Sequence, residues 1–251
     1  LDKLFDSGIK TNFEVYFKNI NTVGKNNAAY KNSPQSELMS AYTYNASLPL
    51  IKKNSETFNI LEPKLSLRFS PHEMKNNSNE SRRIDINNIF ASNRLSLGNS
   101  FEAGESITLG LNFKKEKIIV NNKIEEIEEY IDFKLASVFR LNEEKNIPTS
   151  STLYKKNSNI FGQLNFKPIK NISLGYNFSL TDDLDTFEYN SLLAKMKFKN
   201  FVTQFDYLEE RGFVGNTNII ENKTTYNFDD QNFLSFNTRR NRKLDLTEYY
   251  D

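Results

Sequence analysis

The sequence predicts an all-β protein: an antiparallel transmembrane β-barrel, present in part, with residues 1–251 supplying about a dozen strands of a larger cylinder. Three observations carry this reading. Short stretches alternate apolar and polar residues with a period of two from one end of the chain to the other, and successive side chains of a strand point to opposite faces. Only 37% of the residues are apolar, there are 9 Gly, and the mean hydropathy is −0.63, whereas a soluble domain carries about 45 to 50% apolar residues with glycine counted. A barrel with a wet lumen needs apolar side chains on its lipid side alone, so low hydropathy with strict alternation suits it. Finally, no apolar run approaches the roughly 20 residues of a spanning helix, so any crossing is made by strands.

The elements follow in chain order. Ile9, Thr11, Phe13, Val15 and Phe17 share one side of the first long strand, with Lys10, Asn12, Glu14, Tyr16 and Lys18 on the other. The alternation returns at Tyr42, Tyr44, Ala46, Leu48 and Leu50, and again at Leu65, Leu67 and Phe69. A long link, residues 71–100, leads to Ile107, Leu109, Leu111 and Phe113. Residues 114–129 then connect to Ile131, Phe133, Leu135 and Phe139; within them, 123–129 reads as either a helical turn or an irregular extension. Phe166 and Ile172 are joined by a tight turn around Pro168, whose fixed φ suits it. Ile172, Leu174, Tyr176, Phe178 and Leu180 form the next stripe, and Phe198 and Phe201 are separated by two residues, the length of a hairpin turn. Asp229, Asp230 and Gln231 make a third short turn before a strand at 233–238. Between the short turns lie longer links at 142–158, 181–186 and 209–218, as expected of a barrel with short turns on one rim and long loops on the other. No linker divides the chain, so residues 1–251 read as one domain. The first residue is Leu1 with no signal peptide before it, and the last is Asp251 after the start of a strand. An internal segment of a longer protein is therefore expected.

Composition and motifs exclude several chemistries. The 33 basic and 32 acidic residues nearly cancel, leaving no global field for nucleic acid. There is no cysteine, hence no disulfide or thiolate metal site. His72 is the only histidine and reads as an ordinary loop residue. Asp182, Asp183 and Asp185 lack the Gly and distal Glu of a calcium loop and read as a solvated link. Glu125, Glu126, Glu128 and Glu129 likewise read as a solvated face. With no phosphate-cradling loop and no nucleophile beside a base, neither catalysis nor a cofactor nor a metal is expected. Arg239, Arg240, Arg242 and Lys243 could bind phosphate through guanidinium forks, but pairing with carboxylates such as Asp245 and Glu248 is the preferred reading.

Two segments go further. In residues 82–110, preceded by a strand ending at Pro71, the pattern of Asp85, Asn88, Phe90, Asn93, Arg94, Glu102, Ala103, Gly104, Thr108, Leu109 and Gly110 resembles a loop and following strand of the lipopolysaccharide-assembly protein of the Gram-negative outer membrane, the organic solvent tolerance family. In residues 236–251, Arg239, Arg240, Leu246, Thr247, Tyr249 and Tyr250 resemble the Arg-rich hairpin near that family's C-terminus. The resemblance implies a non-catalytic stretch of barrel wall in the outer-membrane translocon that inserts lipopolysaccharide into the outer leaflet. The implied partners are lipopolysaccharide, the plug lipoprotein inside the barrel, and outer-membrane lipid. On this reading Leu109, Leu111, Phe113, Leu174, Tyr176 and Phe178 face lipid, while Lys10, Glu14, Asp132, Lys134, Gln163 and Asn165 face the lumen or plug. The alternatives are another outer-membrane barrel, either a porin or a plugged receptor, and a secreted β-sandwich or adhesin whose apolar stripe packs on a second sheet.

Overall fold

The computed structural model describes residues 2–26, 32–121, 124–229 and 231–251, with only the backbone described for 119–121, 124–127 and 129. Fourteen strands form one sheet: β1 (Asp2–Leu4), β2 (Lys10–Thr22), β3 (Gln35–Ser47), β4 (Leu50–Lys53), β5 (Thr57–Ser70), β6 (Gly104–Asn121), β7 (Ile124–Arg140), β8 (Ile160–Ile169), β9 (Ile172–Leu180), β10 (Phe187–Phe198), β11 (Phe201–Glu210), β12 (Thr217–Asn227), β13 (Phe233–Asn241) and β14 (Leu246–Tyr250). Each pairs with its neighbour in sequence, except that β3 pairs with β5 while β4 lies against β5 alone. Every pairing whose register is described is antiparallel, which is the up-and-down order that alternation with short turns encodes. A second sheet against which an apolar stripe could pack, as in a sandwich, is not found among the described residues.

The turns confirm the local chemistry. Phe198 pairs with Phe201 across Lys199 and Asn200, with Lys199 in the left-handed region at φ +50°. The β8–β9 turn closes on Ile169 and Ile172, and the register slips between Phe166 and Ile169, where Pro168 has no N–H for the ladder. Before β13, Asp229 Oδ1 accepts from the N–H groups of Gln231 and Asn232; Asp230 lies outside the described residues. Residues 114–121 and 124–129 are strand rather than helix. Strand β6 runs on to Asn121 and β7 begins at Ile124, so both extend into this stretch, while Asn122 and Lys123 lie outside the described residues. The insertion is thus a lengthened hairpin of 18- and 17-residue strands, against the 9 to 11 or so residues that a tilted membrane strand needs.

The chain packs as two compact units. The first comprises Leu1–Leu48, Lys64–Leu109 and Val138–Ser158. Its strand faces are inverted relative to a soluble protein. Register places Phe13 opposite Tyr44, and Tyr44 opposite Leu67, on one face, where Leu67 is 41% exposed; on the other face Ser66, Arg68 and Ser70 are buried. In β6, Leu109 is 48% exposed and Thr108 only 1%. Most of its buried apolar residues lie instead in the links, at Ile84, Ile86, Ile89, Leu95, Leu97, Phe101, Ile147 and Leu153, with Met39 and Ala41 of β3 clustered with Phe101 and Val138 of β7 also buried. The links at 71–103 and 141–159 are also tied to each other, with Asn77 N–H donating to Asn146 O (2.9 Å) and Thr149 N–H to Ser78 O (3.2 Å). The polar face of these strands is therefore covered by folded loop and the apolar face is left bare.

The second unit comprises Pro49–Pro63, Gly110–Ser137 and Asn159–Asp251. Cross-strand register gathers Phe133, Leu164, Tyr176, Leu192, Tyr207 and Ile220 into one row across β7 to β12. The next row toward the short turns contains Phe166, Leu174, Ala194 and Phe205. The opposite face carries Asp132, Lys134, Gln163, Asn165 and Asn177, joined across strands by Lys134 Nζ to Gln163 (3.4 Å) and Gln163 to Asn177 (2.9 Å). Gly162 stands where a side chain would overlap the ring of Phe178, so the ring fills the space that the glycine leaves.

Candidate functional site

The first unit's link, residues 71–103, is a strap laid on the polar face of the strands. It opens with a local device: Asp85 Oδ1 accepts from the N–H groups of Asn87 (2.8 Å) and Asn88 (3.1 Å), while Asn88 Oδ1 accepts from the N–H of Asp85 (2.9 Å). Short polar side chains thus replace the backbone bonds that an irregular segment lacks. Two residues of β2 hold the strap from below. Glu14 receives a hydrogen bond from the Ser92 hydroxyl, and Lys18 Nζ donates to the carbonyls of Leu97 and Ser100 and lies 5.0 Å from the Phe101 ring centroid. Tyr16, between them, meets Phe101 edge-on at 5.8 Å.

At its centre lies a buried ionic cluster. Arg94 grips Glu102 with both arms, Nε to Oε2 at 2.7 Å and Nη2 to Oε1 at 2.5 Å, and also donates to the hydroxyls of Thr108 (3.1 Å) and Ser106 (3.0 Å) on β6. Arg140, at the end of β7, reaches the same carboxylate at 2.7 Å and the Ala103 carbonyl at 2.5 Å. Arg68 of β5 donates to the carbonyls of Glu102 (2.7 Å) and Ser92 (3.2 Å). All four charged side chains are buried. Burial alone would raise the Glu102 carboxyl; the charges of Arg94, Arg68 and Arg140, with the Arg94 hydrogen bond, outweigh it and bring its pKa down to about 2. Gly104, at φ +81°, lets the chain turn from this cluster into β6, and a Cβ there would stand 3.1 Å from Arg140 Nη2.

Several signature residues therefore meet: Arg94, Glu102, Gly104 and Thr108 form one cluster, with Leu109 and Gly110 continuing into β6. Phe90 lies under Lys64 at 6.0 Å, and the Asn93 carbonyl accepts from the Ser96 N–H. Sequence reasoning missed Arg68 and Arg140; the available signal was a charge set between Leu67 and Phe69 in β5. Leu109 and Leu111 are exposed, whereas Phe113, Leu174, Tyr176 and Phe178 are half-buried by their neighbours on the same bare face. Arg239, Arg240, Leu246, Thr247, Tyr249 and Tyr250 form a separate hairpin, β13–β14, in the second unit. There Arg239 Nε lies 2.7 Å from Glu248, an ion pair without hydrogen-bond alignment, and Arg240 pairs with Asp245; Phe236 stacks on Tyr250 at 6.4 Å. His72 Nε2 lies 3.2 Å from the Ser40 hydroxyl, and Asp183 caps its own turn by accepting from the Asp185 N–H and the Thr181 hydroxyl.

The arrangement holds a loop against a polar sheet face and leaves an apolar face open. It aligns with a known family: the family model described as LptD, LPS transport system D, matches residues 11–239. A comparison with curated proteins gives no match.

Proposed function

The chain belongs to the LptD family, and from that premise we propose that residues 1–251 form a stretch of wall in the translocon that inserts lipopolysaccharide into the outer leaflet. Proteins of this family serve lipopolysaccharide transport and assembly at the outer membrane of Gram-negative bacteria, and their fold is a β-barrel. On the proposed reading the bare face, with Leu109, Leu111, Phe113, Leu174, Tyr176 and Phe178, contacts outer-membrane lipid. The opposite face, with Lys10, Glu14, Asp132, Lys134, Gln163 and Asn165, turns to the lumen, where lipopolysaccharide sugars and the plug lipoprotein are the expected company. The wall binds and guides without catalysis. We further place residues 1–251 within the larger barrel domain of a longer protein, as the order of the two signature segments supports.

The observation that carries this reading is the inversion of the sheet: exposed Leu and Phe alternate with buried Ser, Thr and Arg, which suits hydrocarbon on one side and a polar, occupied lumen on the other. On the same reading the strap, fixed by the Glu102 cluster, lies on the lumen side of the wall. The test is depletion of the full-length protein in its own bacterium, with surface lipopolysaccharide read by labelling of intact cells. Loss of newly arrived surface lipopolysaccharide is expected, restored by the wild-type gene. Unchanged arrival after depletion would refute the assignment.

A further inference from the structure

Charge is sorted along the strands of the second unit. From β8 to β11 the ends that meet at the short turns carry Lys167, Lys170, Lys195, Lys197 and Lys199, with no acidic residue from Ile160 to Thr181 or from Tyr189 to Phe205. The ends at the longer links carry Asp182, Asp183, Asp185, Glu188, Glu209 and Glu210, with Arg211 the single base among them. The two ends of these strands therefore present opposite fields to their surroundings.

At the short-turn end, lysines are also gathered onto the bare face. Lys117 and Lys115 of β6 stand over one ring, Tyr130 of β7, at 4.1 and 5.7 Å from its centroid. Tyr130 in turn lies 5.4 Å from the ring of Phe166, which belongs to the bare face. Lys117 Nζ also donates to the Pro168 carbonyl (3.0 Å), tying β6 to the β8–β9 turn. Neither ammonium forms an ion pair among the described residues, whereas their neighbour Lys114 pairs with Glu116. On either side of Pro168, Lys167 and Lys170 line a cavity of about 370 Å³ together with Ile169, Ile172, Ser173 and Glu128, its single acid among the described residues. Four lysines against one carboxylate leave a positive excess, and it is set directly beside apolar side chains.

We propose that this foot of the bare face binds the phosphodiester of an anionic glycerophospholipid, in the leaflet on the short-turn side. The ligand belongs to the surrounding bilayer rather than to the lumen. The lysines supply charge-assisted donors to the phosphate oxygens, and their alkyl stems lie along ring and wall while the ammoniums stay at the interface. Phe166 and Ile172 meet the first acyl carbons. An apolar wall with unpaired lysines at one end matches a lipid with an anionic head; a free anion would leave Phe166, Ile169 and Ile172 uncovered. Each lysine close to an anionic surface adds to the attraction. The leaflet assignment rests on the reading that the bare face meets lipid.

The test uses the full-length protein in bilayers, with a fluorophore on Met196→Cys, the register partner of Ile172 on the bare face. Vesicles mix phosphatidylglycerol and phosphatidylcholine, and the acyl chains of one lipid or the other carry bromine as quencher. Phosphatidylglycerol should occupy the site about tenfold more readily than phosphatidylcholine, and Lys117→Gln/Lys170→Gln should bring the two close to parity, as loss of two interfacial lysines implies. Lys145→Gln/Lys223→Gln, which removes two exposed lysines elsewhere, should leave the preference intact. Equal quenching by both lipids in the wild type, an unchanged preference in the first double variant, or an equal fall in both double variants would overturn the proposal. So would loss of the preference on adding inorganic phosphate at constant ionic strength, which would assign the site to the free ion. Quenching by neither lipid would show that the bare face is not in lipid and would remove the leaflet assignment with it, so the two failures are told apart.

Discussion

Replacing Glu102 by Gln removes one negative charge from beneath three guanidiniums while keeping its volume. Two estimates of the consequence agree. The carboxyl's pKa falls from 4.5 to about 2 on folding, a difference worth about 3 kcal/mol at neutral pH. Breaking a buried ion pair by removing one partner costs about 3 to 5 kcal/mol, because the remaining charges stay buried without compensation. The loss should fall on the strap, since Arg94, Arg140 and Arg68 all hold it through Glu102 or its backbone. The chain has no cysteine, so a single Ser100→Cys, fully buried in the strap, reports opening by its rate of maleimide labelling. Adding Glu102→Gln should raise that rate by about 10²-fold, the equivalent of about 3 kcal/mol, with strand content by circular dichroism unchanged. Equal labelling rates in the two backgrounds would refute the claim that this cluster anchors the strap.

Other consequences are open to measurement. Because the Glu102 pKa is lowered on folding, its contribution is complete above pH 4.5 and is lost as pH falls toward 2; the hydrogen-exchange protection of amides 89–101, taken relative to the intrinsic rate at each pH, should fall across that window, and constant protection there would contradict the assignment. Leu174→Arg should destabilise the inserted protein by about 2 to 4 kcal/mol if the residue lies near the bilayer midplane, read by urea titration in lipid vesicles; normal insertion and stability would remove Leu174 from the lipid face. Gly162→Ala should cost about 1 to 3 kcal/mol through overlap with Phe178, and Phe178→Leu in the same chain should recover part of it; additive losses would show the two sites to be uncoupled. Gly104→Ala should weaken strap protection, because φ +81° disfavours a side chain that would also press on Arg140.

Much of the sheet was legible in the sequence because period-two alternation is strict wherever a strand has two different environments. Phe13, Tyr44, Leu67, Leu174 and Tyr176 each fall on the face their spacing predicts, and the turns at Pro168 and at Lys199–Asn200 announce themselves by local chemistry. The 114–129 stretch resisted because Lys114, Lys115, Glu116 and Lys117 break the alternation, although the chain stays extended there. The strap was legible only as a long link with a family pattern. Its cluster adds Arg68 and Arg140, on β5 and β7, to Arg94 and Glu102 of the strap, and the separations of 34 and 38 residues from Glu102 leave no local spacing that records the meeting. Arg239 and Arg240 paired with carboxylates as their chemistry suggested, whereas Arg242 and Lys243 lie in the β13–β14 turn, held to β12 by the Asn218 carbonyl.

The central claim, that one sheet face meets lipid and the other a polar lumen, is tested most directly by single-cysteine labelling in the full-length protein reconstituted in bilayers. A fluorophore at 109, 111, 174 or 176 should be quenched by brominated acyl chains and shielded from aqueous iodide, while one at 134, 163 or 165 should show the reverse. Quenching that does not alternate between the two sets, or lipid quenching at the second set, would contradict the account.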